Sequence, residues 1–273
     1  MNLLMTLDDS YVHPCTVMMH SIQKSNPSAK LNFYVIYQNL SDESKDILKQ
    51  HVQNGTISFL KFPDTLLSQC PTSKRYPKEM YFRLFAPELL PDSLDRILYL
   101  DPDLVVINPL DSLYFMDFDG NCFIAATHVQ EFFRKFNEHR LNLEEDTPYI
   151  NTGVLLMNLD ALRKEHSGHA IRSYIQQNRH RLLLPDQDVF TALYGQKTKL
   201  ADASIYNLGE TYRITHKLTG QFSDPSVDWI RKHAVIIHYY GKNKPWKKDY
   251  KGQLDIFYHE MENDLKKTMQ SLS

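Results

Sequence analysis

The chain has 273 residues, 42% hydrophobic and 23% charged, with a formal net charge of −2. That is enough for one large domain with a sizeable core, and the composition is that of an ordinary globular protein. A near-neutral balance gives no electrostatic case for nucleic acid as a partner. The three scattered cysteines, Cys15, Cys70 and Cys122, fit neither a disulfide framework nor a zinc site and suit a reducing compartment.

Residues 2–7 read as a short buried strand, and the N-terminus turns acidic at Asp8-Asp9 with no basic leader, so no signal peptide is expected. Residues 14–25 form a helix with Val17, Met18 and Ile22 on its apolar face, and Leu31–Tyr37 is a strand by its aromatic and β-branched content. Ser41 caps a helix running to about Val52, followed by a strand over 57–62. Residues 81–90 look helical, with Pro87 kinking or restarting the helix before Pro91 stops it. Further strands are expected at Arg96–Leu100, 123–126, 154–157 and 235–237, with helices at 160–163, 169–178 and 186–194. Strand and helix alternate over the first hundred residues. That predicts an α/β fold with a mostly parallel sheet, which binds ligands at the carboxyl ends of its strands.

A last helical segment over 251–273, beyond a main domain of 1–250, carries Leu254, Phe257, Tyr258, Met261 and Leu265 as an apolar stripe. It is expected to dock on the body, with peripheral membrane contact as the other reading, helped by Lys247, Lys248 and Lys251 upstream. No run approaches the ~18 apolar residues that cross a bilayer, so a cytoplasmic protein is expected, at most peripheral at the inner face of the membrane.

The nine glycines include no G-x-G-x-x-G or P-loop pattern, so a bound diphosphate would have to be neutralised by a metal and lysines. Three D-x-D pairs occur: Asp101/Asp103, Asp117/Asp119 and Asp186/Asp188. Only the first ends a hydrophobic strand, where alternation would turn both carboxylates to one side. Asp117-Phe118-Asp119-Gly120 reads as a turn, and Asp186-Gln187-Asp188 as a helix start, where acidic residues are favoured. His238 follows an apolar run and precedes Gly241 and Lys244. An imidazole joined to two carboxylates leans towards Mn²⁺ among the hard divalent ions.

Asp101-Pro102-Asp103, Asn151-Thr152-Gly153, Pro185-Asp186-Gln187-Asp188 and His238-x-x-Gly241-x-x-Lys244-Pro245-Trp246 occur in that order. The set resembles glycosyltransferase family eight, the bacterial lipopolysaccharide galactosyl- and glucosyltransferases with glycogenin as a relative, from Asn2 to about Trp246. The resemblance implies a GT-A fold and retaining transfer of glucose or galactose from a UDP-sugar to a glycan, glycolipid or protein acceptor, dependent on Mn²⁺ with Mg²⁺ as a substitute. It also implies that Asp101, Asp103 and His238 bind the metal. By the same resemblance Thr6, Leu7, Asp8, Asp9, Ser10 and Tyr11 hold uridine, with Asp8 on the uracil edge and Tyr11 stacking. Ser10 departs from the asparagine common in bacterial members. Gly241 and Lys244 would contact the diphosphate, and Arg83, Asn151, Asp186 and Gln187 would line the sugar pocket, with Gln187 beside the anomeric carbon. Pro102, Gly153 and Asp188 complete the donor-binding set, and Asp186, Gln187 and Lys244 the catalytic one. Replacing either metal-binding aspartate with asparagine is expected to leave the fold nearly intact, as for a rim carboxylate.

Two other readings share the residues. A sugar-1-phosphate nucleotidyltransferase would need a glycine-rich basic loop after the first strand, where this chain is acidic. A non-catalytic binding or scaffold protein on the same fold would be signalled by loss of a motif, and none is lost.

Overall fold

The computed structural model describes residues 1–67, 78–128, 131–165, 167–218 and 225–272; Cys70 lies outside them. The chain opens with β1 (Asn2–Thr6), a single turn at Asp9–Tyr11, α1 (Val12–Ser25), β2 (Leu31–Tyr37), α2 (Asp42–Gln50) and β3 (Gly55–Lys61). It continues with a 3₁₀ stretch at Lys78–Phe85, α3 (Ala86–Leu89), β4 (Arg96–Leu100), β5 (Leu104–Val106) and α4 (Asp111–Tyr114). Then come β6 (Phe123–Ala125), α5 (Glu131–Leu141), β7 (Val154–Asn158), α6 (Leu159–Glu165), α7 (Gly168–Asn178) and α8 (Pro185–Tyr194). The last part holds β8 (Thr198–Leu200), α9 (Ala203–Tyr206), α10 (Glu210–Leu218), α11 (Val227–His233), β9 (Ile236–His238) and α12 (Asp255–Leu272).

Among the described residues the main sheet has seven strands in the order β3-β2-β1-β4-β7-β6-β8. All neighbours are parallel except β7, which runs antiparallel to both β4 and β6. Alternation along the central strands sends successive side chains to opposite faces. Leu98 and Leu100 of β4 join Leu3, Met5, Val154 and Leu156 in the layer under α1. Ile97 and Tyr99 join Leu4, Leu155 and Met157 in the layer covered by the 3₁₀ stretch, α7 and α8. Both faces are buried, which is why these strands read as unbroken apolar runs.

Several elements differ from the expectation. The segment predicted as one helix over 81–90 is 3₁₀ up to Phe85 and becomes α-helical only at Ala86, with Pro87 in the first turn of the restarted helix. Strand β5 was not foreseen. It occupies three residues between Pro102 and Pro109 and pairs antiparallel with β9 in a separate two-stranded sheet. Asp101-Pro102-Asp103 is therefore a turn joining two sheets rather than a continued strand. The Asp117–Gly120 segment is the expected turn, with Asp119 and Gly120 both at positive φ.

The stripe on α12 is consumed by packing. Leu254, Phe257, Tyr258 and Leu265 are buried with Val17 of α1, Val105 of β5 and Ile237 of β9, so these residues present no membrane face. Polar ties lock the same junction: Asp264 accepts from His20 Nε2 at 2.8 Å and pairs with Lys24 at 2.7 Å, and Glu262 meets His13 at 2.8 Å. No helix among the described residues is long and apolar enough to cross a membrane. Truncating the fully buried Phe257 to alanine should cost about 3–5 kcal/mol in urea denaturation. A loss below ~1 kcal/mol would mean that α12 is not part of the cooperative core.

Candidate metal centre

Three elements meet at the end of β4. The first is the turn Asp101–Asp103 itself. The second arrives because β7 is antiparallel to β4: Leu100 faces Val154, and the Asp101 amide donates to the Gly153 carbonyl at 2.8 Å, placing Asn151-Thr152-Gly153 alongside. The third arrives through the small sheet, where Leu104 faces His238 and the Tyr239 amide donates to the Asp103 carbonyl at 3.0 Å. Residues 135 positions apart are thereby brought into contact, with His238 Nε2 3.1 Å from Asp103 Oδ1 and 3.7 Å from Asp101 Oδ2.

One ligand atom from each of Asp101, Asp103 and His238 lies within 4.8 Å of the others. Two hard carboxylate oxygens and one imidazole nitrogen at this separation fit a single divalent cation. The cradle is tight: a Cβ on Gly153 would sit 2.1 Å from His238 Cε1 and 2.8 Å from Asp101 Oδ2. Only glycine permits this approach.

The charges are arranged in buried pairs. Lys244 Nζ binds Asp103 Oδ2 and donates to the Tyr239 carbonyl at 2.9 Å. Burial pushes the Asp103 carboxyl up, but the Lys244 ammonium and the His238 ring outweigh it and hold that carboxyl well below the usual range. Arg83 is buried, 2.9 Å from Asp101 Oδ1 and 3.8 Å from Asp186 Oδ2, and donates to the Thr152 carbonyl at 2.8 Å. Burial lowers its basicity, yet Asp101 and the neighbouring acidic groups raise it overall. Asp186 accepts from Thr152 Oγ1 at 2.7 Å, and burial still leaves its carboxyl above the ordinary value, against the pull of Arg83. Asp103 is not a rim carboxylate. Removing its charge would strand the Lys244 ammonium inside, so the expectation that its asparagine variant keeps the fold nearly intact does not hold.

A cleft beside these groups is lined by Thr6, Leu7, Asp8, Tyr11, Arg83, Asp101, Pro102 and Asp103, together with Glu79 and Met80. Asp8 Oδ1 accepts from the Ser10 amide at 2.9 Å and from the Ser10 hydroxyl, so the serine orders this loop. Lys244 Nζ lies 5.9 Å from the Tyr11 ring and 5.7 Å from the Trp246 ring, and Gly241 turns the chain between His238 and Lys244 at φ +81°. Gln187 is half-buried on the first turn of α8.

Asp188, expected in the donor-binding set, lies in the interior. Its carboxylate is fully buried and accepts from Arg140 at 2.7 and 2.8 Å, Tyr149 at 2.7 Å and the amides of Leu183 and Leu184 at 2.6 and 3.2 Å. It ties α5 to the start of α8 and is not among the residues lining the cleft beside Arg83 and Asp101. Three residues were missed. Tyr99 donates to Asp101 Oδ1 at 2.6 Å, Thr152 holds Asp186, and Asn207 sits behind His238 at 2.9 Å from Nδ1. Strand alternation could have placed Tyr99 on the same face as Asp101; nothing in the local sequence singles out Asn207.

A family model described as glycosyl transferase family 8 matches residues 2–250. The chain belongs to glycosyl transferase family 8. This family 8 glycosyltransferase is 28% identical over 250 residues to a lipopolysaccharide 1,2-glucosyltransferase of Escherichia coli K12, covering 91% of this chain and 73% of that one. It is 23% identical over 276 residues to general stress protein A of Bacillus subtilis, covering 96% and 93%. Among solved structures it shares its fold with the galactosyltransferase LgtC, crystallised with donor and acceptor sugar analogs, at a TM-score of 0.83 and 22% identity over 97% of this chain and 96% of the other. That fold is GT-A, with the mostly parallel central sheet described above.

Replacing Gly153 with alanine should displace the His238 ring, cost about 1–3 kcal/mol of stability by overpacking, and weaken any divalent-cation binding in calorimetric titration. Unchanged metal affinity would show that the close approach of these three strands does not shape the site.

Proposed function

We propose that this glycosyltransferase moves glucose or galactose from a UDP-sugar to a glycan, lipid-linked or protein acceptor, with retention at the anomeric carbon and dependence on Mn²⁺, for which Mg²⁺ can substitute. The observation that carries the reading is the meeting of Asp101, Asp103 and His238 beside the buried Lys244, next to a cleft lined by the loop after β1. A divalent ion held by the first three supplies a Lewis acid for the diphosphate leaving group. In this reading the loop Thr6–Tyr11 holds uridine, with Tyr11 beneath the base, and Gly241 lets backbone approach the phosphates.

Lys244 has three N–H donors, two of which serve Asp103 and the Tyr239 carbonyl. The third meets a phosphate oxygen and stabilises the charge that grows there as the sugar departs. Arg83, fixed between Asp101 and Asp186, and Asn151 and Gln187 position the sugar. The burial of Asp186 against Thr152 and the saturation of Asp188 by five donors support front-face attack, since neither presents a nucleophile to the anomeric carbon. Capture of a covalent sugar on either aspartate would overturn that mechanism. Action in the cytoplasm is supported by the similarity to lipopolysaccharide glucosyltransferases and by Cys15 and Cys122, both buried free thiols.

Incubation with Mn²⁺ and UDP-glucose or UDP-galactose should release UDP, and EDTA should abolish release. Release indifferent to EDTA rules out the metal-dependent reading. Lys244→Ala should lower kcat by an amount equivalent to ~2–4 kcal/mol of transition-state stabilisation, measured at saturating donor and metal. An unaltered kcat would remove Lys244 from the chemistry.

A further inference from the structure

We infer that Asn207 is a positioning residue that keeps a proton on Nδ1 of His238, so that Nε2 is the ring nitrogen offered to a cation beside Asp101 and Asp103. The inference rests on the metal-site reading above and extends it to a residue outside the ligand set. A neutral imidazole carries its proton on one of its two nitrogens, and only the unprotonated one can bind a cation. A neutral ring with its proton on Nε2 would keep its lone pair on Nδ1, on the side away from the two carboxylates.

The hydrogen bonds on the far side of the ring settle the state of Nδ1. The Gly153 backbone amide can only donate, and it lies 3.1 Å from Asn151 Oδ1. That fixes Asn151 Oδ1 as an acceptor, without appeal to the choice of oxygen and nitrogen in either side-chain amide. Asn207 approaches the same oxygen at 3.0 Å, so the group it presents there must be its NH₂. Its carbonyl oxygen is then the atom 2.9 Å from His238 Nδ1, and an amide oxygen can only accept. Nδ1 therefore carries the proton. A relay of two amides thus runs from a backbone N–H to the ring nitrogen facing away from the carboxylates, while Nε2 faces Asp103 Oδ1 at 3.1 Å.

Asn207 is held to this task from both sides. It is fully buried, its amide donates to Ala203 at 3.1 Å, and its carbonyl accepts from His128 Nε2 at 2.7 Å. The next residue, Leu208, bridges β9: its amide donates to Ile236 and its carbonyl accepts from the His238 amide at 2.8 Å. Ring and amide are thus mounted on one rigid unit, the arrangement by which the hydrogen bond on the second ring nitrogen orients a metal-binding histidine.

The test reads the ring directly. Long-range ¹H–¹⁵N spectra of the metal-free protein, with the His238 signals identified by their loss in His238→Gln, should show Nδ1 protonated. Asn207→Leu, close in volume but without the acceptor, should shift His238 towards the Nε2–H form and weaken Mn²⁺ binding, followed by the EPR signal of free Mn²⁺, about 10–100-fold. Asn207→Asp keeps an acceptor on Nδ1 and should keep the tautomer. A wild-type ring without a proton on Nδ1 overturns the inference. So does a folded leucine variant that retains Nδ1–H and wild-type Mn²⁺ affinity, whereas loss of that fold leaves the wild-type and aspartate spectra to decide. Wild-type protein with the expected tautomer but no Mn²⁺ affinity would refute the metal reading and leave the relay standing.

Discussion

The pairing of β5 with β9 is the constraint on which the site depends. Leu104 opposite His238 is the register that sets the imidazole beside Asp103. Side chains along a strand alternate, so a slip of one residue would turn His238 to the other face and present Ile237 or Tyr239 to the carboxylates. The register is held from outside the sheet by Val105 and Ile237, which pack with Val17 and Phe257, and by the bridge from Leu208. Metal-ligand geometry is in this sense a product of hydrophobic burial some distance away.

The electrostatics follow the same economy. Buried charges are tolerated when each meets an opposite charge and its remaining hydrogen-bonding capacity is filled. Asp103 has Lys244 and His238; Asp101 and Asp186 share Arg83; Asp188 has Arg140 and three further donor groups. The first three carboxylates gather around Arg83, Lys244 and His238, and the fourth ties α5 to α8, although Asp186 and Asp188 are two residues apart on one helix turn. Position in the fold, not residue type, separates the two jobs.

That distinction marks where sequence reading succeeds. Apolar runs such as Arg96–Leu100 announce strands buried on both faces, and the Asp101, Asn151 and His238 segments each follow or precede such a run. Their convergence could therefore be anticipated from order alone. Strand β5 could not, because three residues flanked by prolines carry no periodicity to detect. Asp188 shares its motif with Asp186, and its seal against Arg140 depends on α5, which no motif announced. Asp103 looked like a rim group because the sequence does not show Lys244 folding back over it. Asn207 left no trace at all: a single amide between two helices acquires its meaning only from Gly153 and His238, more than thirty residues away on either side.

The docking of α12 ties together the two ends of the polypeptide. Helix α1 begins at Val12, directly after the Asp8–Tyr11 loop that lines the cleft, and α12 lies along it through His13, His20 and Lys24. The C-terminal helix thus acts as a splint for the N-terminal loop, bracing it through α1. Any loosening near the carboxyl end would be transmitted along α1 as a change in how firmly the first dozen residues hold their shape.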